Sequence, residues 1–116
     1  MKRKQRTVAG LLSIRNGIFK SHSRLPLHVY VYCRSENIAR RFLNDAEKEG
    51  FAFGDGIRPT EKETSDLFAV HQDYTVSYTG WAGHMLFKNP GCGNVVRVDY
   101  GKYISGVKDF MRIQEL

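Results

Sequence analysis

Leu27-His28-Val29-Tyr30-Val31-Tyr32-Cys33-Arg34 is the stretch that decides the fold class. Val29, Val31 and Cys33 fall on one side of an extended chain, and His28, Tyr30, Tyr32 and Arg34 on the other. Such period-two alternation of β-branched and aromatic residues describes a half-buried strand whose valine face meets the core. Cys33 lies on that face and reads as a packed thiol. Ser35 follows directly, and its hydroxyl can accept from a free amide in the first turn of a helix. Ile38, Phe42, Leu43 and Ala46 then form an apolar stripe, with Arg40, Arg41, Asn44, Glu47 and Lys48 on the side left to water. Gly50 ends the helix, since a left-handed residue after the last turn costs glycine no steric penalty. Phe51 is placed to fold back against the final turn.

Toward the C-terminus the pattern turns to strands. Phe51 to Phe53 alternates like a short strand, and Gly54-Asp55-Gly56 reads as a tight turn rather than a phosphate loop, because no P-loop lysine follows it. Thr60 and Glu63 have capping-box spacing, which predicts one helical turn over residues 60–65. Leu67 to His71 and Tyr74 to Thr79 flank Gln72-Asp73 and predict a hairpin. Gly80 and Gly83 around Trp81 suggest a bend before a strand at His84 to Lys88. Asn89 to Asn94 reads as a loop, Val95 to Tyr100 as the last strand, and Lys102 to Leu116 carries enough apolar residues for a short packed helix. The expected fold is therefore α+β: one main helix packed on a mostly antiparallel sheet, in the order β-α-β and then β-hairpins.

Toward the N-terminus the chain changes character. Residues 1–24 hold seven basic groups (Lys2, Arg3, Lys4, Arg6, Arg15, Lys20 and Arg24) and no acid, whereas the other 92 residues hold eleven basic and twelve acidic groups. All of the net charge of +6 thus belongs to the first 24 residues. This divides the chain into a basic N-terminal arm, residues 1–24, and a single α+β domain, residues 25–116. Val8, Leu11, Leu12, Ile14, Ile18 and Phe19 within the arm should dock on the body, because exposed they would form a sticky patch.

A chain of 116 residues with 41% hydrophobic and 26% charged content makes one ordinary globular domain, not a disordered segment. The apolar run from Val8 to Ile14 is far shorter than the roughly 20 residues a bilayer crossing needs, so no membrane partner is expected. Two distant cysteines give no disulfide framework, and no cleavage site follows the basic start; both indicate the cytoplasm. His71, His84, Cys33 and Cys92 stand at no metal-ligand spacing, so neither a metal nor another cofactor is expected. Asp55, Glu61, Glu63 and Asp66 surround one loop without the order of an EF-hand.

The charge asymmetry calls for an acidic partner. The reading it supports is a non-enzymatic protein that binds nucleic acid or a nucleoprotein through Lys2, Arg3, Lys4, Arg6 and Arg15. Tyr30 and Tyr32, beside His28 and Arg34, have the composition of a platform on which single-stranded bases stack. The alternative is a small hydrolase or metalloprotein built on His84 and Cys92, with the thiol as nucleophile and the imidazole as base.

The span Arg41 to Glu61 (RFLNDAEKEGFAFGDGIRPTE) resembles a stretch of small uncharacterised proteins of Gram-positive bacteria and their phages or mobile elements. Asp99 to Gly106 (DYGKYISG) is similar to the same group; together they make up about a quarter of the chain. The resemblance carries no activity with it. It implies provenance, and accessory proteins of such elements often act by binding host machinery, inhibitors of CRISPR nucleases being one instance.

Overall fold

A computed structural model describes residues 6–12, 28–80 and 95–111. Among them run strands β1 (His28–Tyr32), β2 (Ala52–Phe53), β3 (Leu67–Val70), β4 (Thr75–Tyr78) and β5 (Val95–Asp99). Helix α1 is Glu36–Lys48, a 3-10 turn spans Pro59–Glu61, and a short helix α2 is Tyr100–Ile104. A further helical turn occupies residues 8–12.

The β1–α1 unit forms for the local reasons its sequence carries. Val29, Val31 and Cys33 are all buried on one face. Ser35 is the N-cap of α1, its hydroxyl accepting from the amide of Ile38. Ala39, Phe42, Leu43 and Ala46 are the buried stripe of the helix. At its other end Gly50 takes a φ of +93°, and the amides of Gly50 and Phe51 donate back to the carbonyls of Glu47 and Ala46. This double closure turns Phe51 into the core. Phe42 lies at the centre, 5.0 Å from the ring of Phe68 and edge-on to Tyr100 at 5.1 Å.

The strands form one five-stranded sheet in the order β2-β4-β3-β1-β5. Among the described residues the sheet is mixed, where the sequence pattern predicts a mostly antiparallel one; the expected strand at 84–88 lies outside them. β3 is antiparallel to both β1 and β4, but β1 pairs with β5 in parallel, and so does β2 with β4. For the β2–β4 pair the cause is the crossover. Helix α1 carries the chain from the end of β1 back to its starting level, so β2 enters running the same way as β1. β2 then finds its partner in β4, the far strand of the following hairpin.

Two local expectations also change. Thr60 does not open a capping box with Glu63. Both its hydroxyl and its amide donate to the Glu47 carboxylate on α1, and the helical turn is the 3-10 turn Pro59–Glu61. The β3–β4 connection is also wider than Gln72-Asp73. His71 and Tyr74 close it through backbone bonds to Thr75 and to each other, with Tyr74 at a φ of +65°. That is a position glycine would occupy without strain. Tyr74 holds it while its ring stacks on Phe51 at 4.6 Å and its carbonyl accepts from Ala52 at the start of β2.

Candidate functional site: the root of the basic arm

Arg6 is the one predicted binding residue of the arm among the described residues; Lys2, Arg3, Lys4 and Arg15 lie outside them. Its guanidinium donates to the carbonyls of Tyr103, at 3.1 Å, and Val107, at 2.8 Å. The same group lies over two rings, 4.8 Å from the centre of Phe110 and 5.5 Å from that of Tyr103. Those rings meet edge-to-face at 5.0 Å. A planar cation suits this setting, because its faces stack while its edges donate.

The residues after Arg6 are fastened as firmly. The Tyr103 hydroxyl donates to the carbonyl of Thr7 at 2.6 Å. Burial pushes the pKa of this phenol up, which keeps it a donor. The helical turn at 8–12 begins with amides that have no partner within the turn. Glu49, at the end of α1, accepts from two of them, Val8 and Ala9, one on each carboxylate oxygen at 2.9 Å, and the Thr7 hydroxyl accepts from Gly10. Gly10 is needed here, since a Cβ at that position would come within 2.8 Å of the Tyr103 hydroxyl. Val8 and Leu11 are wholly buried and belong to the same core as Phe42 and Val31. Residues 6–12 of the arm thus dock on the body, as their apolar side chains predict.

The predicted stacking platform fares differently. Tyr30 is 5% exposed and clusters with Leu67 and Ala69, with Tyr32 packed beside them. A ring so covered gives no open face to a base, and burial raises the pKa of its phenol. The exposed tyrosines are Tyr74 and Tyr78, on β4 and the turn before it. Arg34 is exposed at the mouth of an open cleft of about 260 Å³ lined by Cys33, Ser35, Glu36, Thr64, Ser65 and Asp66. The cleft does not make Cys33 a nucleophile: burial, with Asp99 and Asp66 nearby, pushes its thiol pKa far up.

Of the suggested metal ligands, His84 and Cys92 lie outside the described residues. Cys33 and His71 cannot share an ion. The pairing of Tyr32 with Leu67 and of Val29 with Val70 puts Cys33 and His71 at opposite ends of the β1–β3 pair, five residues or about 17 Å apart by strand rise. No group of three metal-binding side chains occurs among the described residues. Asp55 and Glu61 are engaged with Lys62 and Arg58. His71 Nε2 does lie 2.8 Å from Ser77 Oγ, the spacing of a base and a hydroxyl nucleophile. The nearby Asp73 carboxylate accepts from Thr75 rather than from the imidazole. No described helix is long and apolar enough to cross a membrane.

Sequence reasoning missed Glu49, Tyr103 and Phe110, which hold Arg6 and the turn after it. Nothing local sets Glu49 apart from the other charged residues around α1, and the two rings lie in the segment 102–116 that reads only as apolar enough to pack. Comparison of the chain with protein-family models, with curated proteins and with solved structures found no match.

Proposed function

We propose that this protein is a non-enzymatic binding protein that engages nucleic acid, or a nucleoprotein of a bacterial host, through its basic N-terminal arm. The observation that carries the reading is the charge partition. Seven basic groups and no acid occupy residues 1–24, against a nearly neutral remainder. Phosphate backbone is the polyanion such an arm is built to meet. Docking at residues 6–12 supports the reading in a specific way: it gives the basic tip before Arg6 a fixed point of departure. It also removes Arg6 from the phosphate-contacting set and leaves Lys2, Arg3, Lys4 and Arg15. Arg34, the body residue named with the arm, is exposed. The resemblance to proteins of phages and mobile elements suits an inhibitor of host nucleoprotein machinery, of which a CRISPR nuclease is one instance.

The test is recovery of the tagged full chain from a bacterial host, with and without nuclease treatment, followed by identification of what accompanies it. The reading predicts nucleic acid, or a nucleic-acid-binding assembly, that is lost when Lys2, Arg3 and Lys4 are all changed to Ser. Recovery of the chain alone under both conditions overturns it. Retention of a hydrolase activity that depends on His84 and Cys92 would favour the alternative.

A further inference from the structure

The pocket that receives Arg6 has a chemistry of its own. Two aromatic faces, from Tyr103 and Phe110, and two backbone carbonyls, from Tyr103 and Val107, converge on one planar cation. These partners are all neutral. A neutral site selects by shape and hydration more than by charge. Guanidinium is flat and weakly hydrated, so it can stack and donate along its edges together. An ammonium is compact and strongly hydrated, and gives up more water for fewer aligned bonds. The Tyr103 carbonyl lies in the last turn of α2, where carbonyls look outside the helix for donors.

We propose that Tyr103, Phe110 and the carbonyls of Tyr103 and Val107 form a guanidinium-binding site, filled in cis by Arg6, that latches the N-terminal segment to the C-terminal one. The latch joins positions about a hundred residues apart, the Arg6 contacts spanning 97 and 101 residues of chain. It goes beyond the nucleic-acid reading and does not depend on it. Arg6 acts here as an anchor, and the site recognises the guanidinium group rather than the segment that carries it.

Chemical rescue tests this without any nucleic acid. Full-length Arg6→Ala is melted in buffer, in about 50 mM methylguanidinium chloride, and in methylammonium chloride at the same concentration. Arg6→Lys is melted in buffer alone. The latch predicts that Arg6→Ala melts roughly 5–10 °C below wild type, the scale set by losing two charge-assisted bonds in a domain of this size. Methylguanidinium should recover part of that loss and methylammonium none of it, while Arg6→Lys should stay below wild type. A wild-type midpoint for Arg6→Ala, equal recovery by both ions, or recovery by neither would each overturn the proposal. If Arg6→Ala does not fold, Arg6→Lys decides: a wild-type midpoint would mean that a point charge suffices and no guanidinium site exists.

Discussion

Among the described residues two cations are held against pairs of aromatic rings, and they are held in different ways. Lys62 lies 4.8 Å from the centre of the Phe53 ring and 5.9 Å from that of Tyr78, with its ammonium 2.6 Å from the Asp55 carboxylate. Arg6 lies over Tyr103 and Phe110, with carbonyls as its acceptors. Lys62 fastens a turn to the edge of the sheet by opposite charge. Arg6 fastens the start of the described chain to its end by shape and directed hydrogen bonds. Basic residues are therefore not equivalent phosphate ligands: the fold has already used these two. Charge counted from sequence overstates what the arm can offer a partner by at least one group.

The strongest way to break this comparison is to remove the apolar support behind Arg6. Leu11 is fully buried, so Leu11→Ala should cost about 2–5 kcal/mol in denaturant unfolding, approaching the roughly 3–5 kcal/mol expected of Phe42→Ala at the centre of the core. A Leu11→Ala loss below about 0.5 kcal/mol, the level of an ordinary surface change, would show that residues 6–12 are not core.

Truncating the cations themselves should give smaller, separable effects. Arg6→Ala should cost about 1.5–3 kcal/mol, the range for bonds to a charged group, and Lys62→Ala on the order of 1 kcal/mol. Molar sodium chloride should shrink the Lys62 effect, because an exposed carboxylate is half of that contact, and should leave the Arg6 effect nearly unchanged. Equal salt sensitivity in the two variants would dissolve the distinction.

Acid gives the finest test. The Asp55 pKa is lowered below its ordinary 3.8, first by the hydrogen bond from Lys62 and then by that from the Ile57 amide. A lowered carboxylate contributes stability that is present above its unfolded value and lost as pH falls through the folded one. The Lys62→Ala chain should therefore lose less stability than wild type on acidification below pH 3.8, while Arg6→Ala follows the wild-type acid limb. Parallel acid limbs for Lys62→Ala and wild type would mean that the pair contributes nothing to folding.

What sequence could show of this fold is what local chemistry decides. The β1 alternation, the Ser35 cap, the apolar stripe of α1 and the closure at Gly50 each lie within a few residues, and all are present. The sheet order was not legible. The β1–β5 and β2–β4 pairings join segments that the chain separates, and adjacency in sequence favours hairpins. Tyr30 illustrates the same limit for the site. Alternation placed it on the second face of the sheet but could not say that the face is covered. Thr60 had a partner at the right spacing in Glu63, yet Glu47 on the neighbouring helix holds it. Arg6 is the clearest case, since nothing near it in sequence announces the rings and carbonyls that enclose it.

The arm's salt dependence tests the central claim most directly. Affinity of the full chain for duplex DNA should be measured from low to physiological salt, beside a chain with Lys2, Arg3 and Lys4 changed to Ser. Cutting away residues 1–6 would also remove the Arg6 anchor, so substitution is the cleaner change. With about four phosphate contacts, from Lys2, Arg3, Lys4 and Arg15, log K should fall against log salt with a slope of roughly −3.5. The triple variant should stay folded, as its changes precede the Arg6 anchor, and keep a slope near about −1, that of a single contact. Binding absent at low salt, or equal slopes in the two chains, would contradict the claim and leave the basic tip as a solubilising terminus.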